Sequence, residues 1–179
     1  AALIQQAAND LLGHTLRGDA LKAILLMTAQ DLGPEGPDFQ FGFGRMQTDV
    51  GVEFIHRLHD GCPSAGIHVG HLQPGESDTL LVTYSGVHPF QACLTWMDPA
   101  IGGQNHSVLN DLNLRFENDG GDDVLPWAMP EAQTFLDNLY DLSLLDSLTA
   151  VRQVNHIDNV ELIEIDGLEG NVHRLVVQH

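Results

Sequence analysis

The hydrophobic period of this chain changes near Asp60, and that change limits the possible folds more than any other feature. Before it, apolar residues recur every three to four positions: Leu3, Ile4, Ala7, Ala8, Leu11 and Leu12, then Leu21, Ile24, Leu25 and Met27, then Val50, Phe54 and Leu58. That spacing places side chains on one face of a helix. Helices are therefore expected over 1–12, 20–28 and 46–58, with Gly13 ending the first and Asp19 capping the second. Gly33-Pro34, Gly36-Pro37-Asp38 and Gly42-x-Gly44-Arg45 form a glycine-rich elbow over 30–44. After the linker-like run Gly61-Cys62-Pro63-Ser64-Ala65-Gly66 the period becomes two. Leu80, Val82 and Tyr84 alternate, as do Phe90, Ala92, Leu94 and Trp96, and Leu112, Leu114 and Phe116; β-rich runs cover 160–165 and 172–177. Turn signals such as Pro74-Gly75, Ser85-Gly86 and Asn118-Asp119-Gly120-Gly121 separate these runs. Short strands punctuated in this way build an antiparallel sandwich or jelly roll. The expected class is α+β, with helices over 1–59 and an antiparallel β-sandwich (jelly roll) over 60–179. Residues 131–151 depart from the pattern. Their apolar positions, from Phe135 to Val151, are spaced nearer to helical, which fits a helical insertion or a long loop with one buried side.

Charge narrows the function. Twenty-five acids against seven bases give a net charge of −18 over 179 residues. Such a field repels nucleic acid and anionic membrane surfaces, so neither is an expected partner, and it attracts cations. No apolar run approaches the roughly 18 residues of a transmembrane helix, and no signal peptide opens the chain. Ala1-Ala2-Leu3-Ile4 reads as the middle of a helix, as in a fragment or processed product. Cys62 and Cys93 permit one disulfide or none. Few cysteines, few lysines and many acids fit a secreted or extracellular protein.

Several stretches, met in order, resemble the C-terminal portion of a subtilisin-like serine protease (subtilase, peptidase S8 family). Ala1–Gln6 looks like the later part of the helix that carries the nucleophile in that family. The run Leu21-Lys22-Ala23-Ile24-Leu25-Leu26-Met27-Thr28-Ala29 resembles the next helix, which there ends in a Thr-Ala pair. The stretch from Pro37 to Phe54, with Gly42-x-Gly44-Arg45, resembles the elbow before the last helix of the catalytic domain. The second half resembles the jelly-roll domain appended to some bacterial subtilases, through Cys93–Ala100, Val108–Phe116 with Asn110-Asp111-Leu112, Asn155 with Asn159-Val160-Glu161, and the closing strand over 170–177. Asn113 stands where the family often has Asp. The resemblance implies the C-terminal helices of a subtilisin-like α/β catalytic domain, followed by a β-sandwich that supports it.

Subtilases cleave peptide bonds with Asp, His and Ser in that chain order, the serine lying in Gly-Thr-Ser-x-(Ala/Ser)-x-Pro. No such string occurs here, so the resemblance places all three upstream and predicts that this chain alone is inactive. Its expected partners are the remaining N-terminal part of the catalytic domain and the peptide or protein substrate of the parent. Ser64 and Ser85 have turn contexts rather than a nucleophile elbow. Cys62 reads as a linker residue or half-cystine. His56-x-x-His59 and His68-x-x-His71 do not by themselves make the four convergent ligands of a structural zinc site. Calcium is the better metal expectation. Asp111 and Asn113 alternate onto one strand face, and the following turn adds Asp119, Asp122 and Asp123, so that carboxylate and amide oxygens cluster as a hard cation requires. Trp96 closes an apolar face and is expected in the core. Trp127, between Pro126 and Pro130, is expected to be more exposed. Two other readings stand beside the protease: a non-catalytic, calcium-stabilised β-sandwich that binds or adheres, and a degenerate pseudoprotease.

Overall fold

The fold is that of a computed structural model that describes residues 1–83, 89–99, 108–117, 123–129, 148–166 and 172–179. Among these the chain forms helices α1 (Ala2–Leu12), α2 (Gly18–Met27) and α3 (Thr48–His59). Strands follow: β1 (Ser77–Thr83), β2 (Phe90–Thr95), β3 (Asn113–Glu117), β4 (Asp123–Val124), β5 (Trp127–Ala128), β6 (Val151–Arg152), β7 (Val160–Ile165) and β8 (Val172–Gln178). They pair antiparallel in two four-stranded sheets, ordered β1-β8-β3-β4 and β2-β7-β5-β6. The change of period near Asp60 is thus a change from helix to antiparallel sheet. The helix-like spacing over 131–147 lies outside the described residues.

The helices bury a cluster of Ile4, Ala8, Leu16, Ile24 and Ile55. α1 stops at Gly13, whose φ of 76° is the left-handed conformation that glycine adopts without strain. α2 begins before the expected position, so Asp19 lies in its first turn instead of at the cap. There Asp19 Oδ1 accepts the Ala20 N–H at 2.9 Å, and Oδ2 lies 2.8 Å from Arg17. The bond from Arg17 holds this carboxyl below its usual range. In α3, Phe54 and Leu58 pack against this cluster as expected, but Val50 does not. Gly51 and Ile55 are buried, whereas Val50 is 41% exposed. The reason is the approach of α1: a Cβ on Gly51 would lie 2.5 Å from Ile4 Cδ1, so Gly51, not its neighbour Val50, meets α1.

The sheets enclose a second cluster, Ala92, Leu114, Phe116 and Ile163, with Phe90, Leu94, Val124, Ile165, Leu175 and Val177 around it. Alternation along β2, β3, β7 and β8 directs these residues to one side of each strand. Phe116 is central. Its ring centroid lies 5.1 Å from Phe90 and 5.0 Å from His173. His173 is only 1% exposed, and neither ring nitrogen has a hydrogen-bond partner among the described residues. A buried polar group without a partner costs about 1–3 kcal/mol. His173→Leu is therefore expected to raise stability by about 1 kcal/mol, read as a higher midpoint of urea unfolding. An unchanged or lower midpoint refutes the assignment of that cost to His173.

Polar contacts join the helices to the second sheet, where α2 lies on β2. Thr95 Oγ1 donates to the Asp19 carbonyl at 2.8 Å, Lys22 Nζ donates to Asn159 Oδ1 at 2.5 Å, and Asn159 Nδ2 donates to the Trp96 carbonyl at 2.9 Å. Trp96 is buried, as its place in the apolar alternation implies. Trp127 is less buried than Trp96, as expected, but it is not a loop residue. It belongs to β5 and is half-buried, with the Arg152 guanidinium 3.6 Å from its ring centroid. Gly36 of the elbow packs on it so closely that a Cβ there would lie 2.9 Å from Trp127 Cδ2. Neighbours distant in sequence thus cover the ring.

Candidate metal centre

The described acids and amides of interest meet where β3 begins. Asp98 fixes the approach. Its Oδ2 accepts the N–H groups of Leu109 (2.9 Å) and Asn110 (3.3 Å), and its Oδ1 accepts Asn110 Nδ2 at 2.7 Å. Burial pushes the Asp98 carboxyl up, but these bonds outweigh it and hold the group below its usual range. Asp111 and Asn113 follow, and Asn113 Nδ2 donates to the Asp111 carbonyl at 3.4 Å. Leu114 and Phe116 turn inward into the core from the intervening positions.

A second segment closes on this one from the β6–β7 connection. Asn155 is buried and shapes it: Oδ1 accepts the N–H groups of Ile157 (3.0 Å) and Asp158 (3.3 Å), while Nδ2 donates to the Val160 carbonyl at 3.1 Å. That turn delivers two side chains. His156 Nδ1 lies 2.6 Å from Asp111 Oδ2. Glu161, on β7, is 1% exposed and accepts the Leu114 N–H through Oε2. Burial pushes the Glu161 carboxyl up to about 8; backbone N–H groups of Leu114 and Asn155 oppose the shift, and the Asp111 charge adds to it.

Three oxygens remain. Asp111 Oδ1, Asn113 Oδ1 and Glu161 Oε1 are buried and have no hydrogen-bond partner among the described residues. Buried polar oxygens are ordinarily paired, since each left alone forfeits its hydration. Carboxylate and amide oxygens are the hard donors that calcium takes, 6–8 at a time, with backbone carbonyls and water making up the balance. Among the described residues no three His, Cys, Asp or Glu side chains group to hold a metal; the third of these oxygens is the amide of Asn113. Beside it opens a cleft of about 350 Å³, lined in part by Asn113, Leu125, Val154, His156 and His179.

The expected ligand set is thereby divided. Asp111 and Asn113 are close together. Asp123 is paired opposite Glu117, at the far end of β3, about 13 Å from Asn113 at 3.3 Å per residue. The separation arises because β4 pairs with the far end of β3, Phe116 opposite Val124 and Glu117 opposite Asp123, and not with its start. Asp123 lies 3.9 Å from Arg115 Nε instead. Asp119 and Asp122 lie outside the described residues. Glu161 was not among the expected ligands. Its signal was a carboxylate in the apolar run Val160-Glu161-Leu162-Ile163, on the side of the strand that also carries Ile163.

The other candidates are dispersed. His68 pairs with Asp78 at 2.9 Å, His59 Nδ1 lies 2.9 Å from the Leu11 carbonyl, and His71 contacts Gln73. Both cysteines are free. Burial pushes the Cys93 thiol up to about 12, away from the thiolate that reacts. Cys62 Sγ lies 3.1 Å from Ser64 Oγ, which accepts a bond from Arg57 at 2.6 Å. A hydroxyl held by a permanent cation lacks the base that nucleophilic attack requires. Ser85 lies outside the described residues.

No helix among the described residues is long and apolar enough to cross a membrane. In comparisons with known proteins, no protein-family model matches the chain and no curated protein matches it.

Proposed function

We propose that this chain is the C-terminal supporting part of a secreted, subtilisin-like serine endopeptidase, comprising the last helices of the catalytic domain and a calcium-stabilised jelly-roll sandwich. The observation that carries the reading is the elbow. The resemblance requires glycines in Gly42-x-Gly44-Arg45, and Gly44 occupies a site that tolerates nothing larger. Its φ is 99°, and a Cβ there would overlap the Gln30 carbonyl oxygen. That fit lets Gln30 and Arg45 exchange two backbone bonds of 2.8 Å and ties the end of α2 to the start of α3. Leu3 of α1 is 61% exposed, and Met46, just before α3, is 57% exposed, as suits a surface that backs a further layer. In the parent, peptide-bond cleavage would proceed through an acyl-enzyme on a serine upstream of Ala1. The sandwich would stabilise the catalytic domain through the α2–β2 contacts and Trp127.

Asp111 and Asn113 would hold the calcium ion, with Glu161 beside them. Bound calcium would supply positive charge among buried oxygens. The residues themselves link the start of β3 to the β6–β7 connection.

The coding sequence immediately upstream of Ala1 tests the reading. Gly-Thr-Ser-x-(Ala/Ser)-x-Pro is expected there, and the extended protein is expected to hydrolyse a fluorogenic peptide, with activity lost on Ser→Ala. A stop codon, or an altered serine in that string, sinks the proposal. Turnover by the 179-residue chain alone refutes the placement of the triad upstream.

A further inference from the structure

We infer that the free edge of β1 is an interface for a second copy of this chain, whose own β1 pairs with it antiparallel across a two-fold axis at Leu80. The inference stands apart from the protease and calcium readings.

β1 is an edge strand. β8 pairs with it along all seven residues, and no strand lies on its other side among the described residues. The other edges are short or have a helix beside them: β4 and β6 have two residues each, and α2 lies against β2. The ladder fixes which backbone groups of β1 face outward. His179 N–H donates to the Glu76 carbonyl at 3.0 Å, so Glu76 turns toward β8, and by alternation so do Asp78, Leu80 and Val82. β3 agrees. Its Leu114 N–H turns away from β8 to Glu161, which leaves Val177, Leu175 and His173 of β8 to bond β1. Ser77, Thr79, Leu81 and Thr83 therefore point their N–H and C=O groups outward.

A free edge is a template for another strand, and natural sheets blunt it with proline, lysine or a bulge. Ser77-Asp78-Thr79-Leu80-Leu81-Val82-Thr83 has no proline or lysine, and its register with β8 is unbroken. Self-complementarity names the occupant. Leu80 opposite Leu80 of the second copy is the register that uses the whole strand. Thr79 then faces Leu81 and Ser77 faces Thr83, so outward-pointing groups meet outward-pointing groups, as antiparallel bonding requires. The strand's one charge, Asp78, faces Val82 rather than another acid, and it already pairs with His68 at 2.9 Å. On the outer face the two Leu81 side chains become diagonal neighbours, within reach of each other. Leu81 is 73% exposed, the most of any large hydrophobic residue described, and the pairing covers it. Each chain carries a charge of −18, so long-range repulsion opposes the dimer and salt strengthens it.

Sedimentation equilibrium of the 179-residue chain tests the inference in about 0.1 M and about 1 M sodium chloride, where the screening length falls from about 10 Å to about 3 Å. A reversible dimer is expected, tighter at the higher salt. Leu81→Asp, at an exposed position, is expected to keep the wild-type circular dichroism spectrum and to weaken the dimer at least about tenfold, since the two new charges meet across the axis. Thr79→Pro removes an outward N–H and no bond to β8, and is expected to act in the same direction. Leu3→Asp, the same change at an exposed position of α1, is expected to dimerise as the wild type does. Amide hydrogen exchange supplies the second readout. Thr79 and Leu81 are expected to exchange fast in the dilute monomer and slowly in the dimer, whereas Leu80, bonded to β8, is slow in both. A wild type that stays monomeric at both salt concentrations overturns the inference. So does a dimer that Leu81→Asp leaves intact, or growth past a dimer, because symmetric pairing uses the edge up. Slow exchange at Thr79 and Leu81 in the monomer also overturns it, by showing that another part of the same chain fills the edge.

Discussion

In the presence of a chelator, stability is expected to fall as pH rises through the window from 4.5 to about 8, and calcium in excess is expected to flatten that slope. The cause is Glu161, whose carboxyl is displaced from an ordinary 4.5 to about 8, chiefly by burial. Within the window the folded protein holds a proton that the unfolded chain has released, so each step toward higher pH favours unfolding. The contribution is fully present below 4.5 and is gone once pH passes the folded value. At 1.36 kcal/mol per unit the whole displacement is worth roughly 5 kcal/mol, a large share of the 5–15 kcal/mol that holds a typical domain together. Asp19 and Asp98 act with the opposite sign, since their carboxyls are held below the usual 3.8; their contribution is lost only as pH falls below this window. Urea midpoints at several pH values, with chelator and with calcium, measure the effect. Glu161→Gln, run alongside, is expected to lose the slope. A flat profile for the wild type in chelator would rule the mechanism out.

Gly44→Ala is expected to cost about 3–5 kcal/mol, from backbone strain plus two disrupted bonds. At a φ of 99° an L-residue is strained whatever the space around it, and here the added methyl also meets the Gln30 carbonyl. Arg45 N–H and Gln30 N–H, each bonded at 2.8 Å to the other residue's carbonyl, are then pushed apart. The loss should appear first around α2 and α3, as faster hydrogen exchange at Gln30 and Arg45. Gly42 is the internal control. It too has a positive φ, 60°, but open space surrounds its Cβ position. Gly42→Ala is expected to cost only about 1 kcal/mol. Equal losses for the two variants would show that the close approach at Gly44 does not matter.

The Glu161 and Gly44 predictions draw on different depths of information. Gly42 and Gly44 were visible in the sequence as an elbow, because glycines between two helical periods mark a turn whatever lies nearby. Which glycine is indispensable was not visible, since the answer lies in the Gln30 carbonyl fourteen positions earlier. The buried face of α3 was legible at Phe54 and Leu58 but not at Val50, for the same kind of reason: periodicity locates an apolar stripe, but the approach of Ile4 chose Gly51. Trp127 was expected in a loop because its flanking prolines describe only their own neighbourhood, whereas pairing with Arg152 and Leu162 makes it part of β5.

By itself, then, the sequence determined the α+β class, the change of architecture near Asp60, the principal strands with their inward residues, and the pairing of Asp111 with Asn113 at the start of β3. These follow from side-chain period and from neighbours in the chain, which act over a few residues. Tertiary structure alone decided that Asp123 stands at the opposite end of β3, that Trp127 is covered, and that Glu161 reaches Leu114 from the other sheet. Each depends on which strands become neighbours, and that is settled by burial summed over the whole chain rather than by any local pattern.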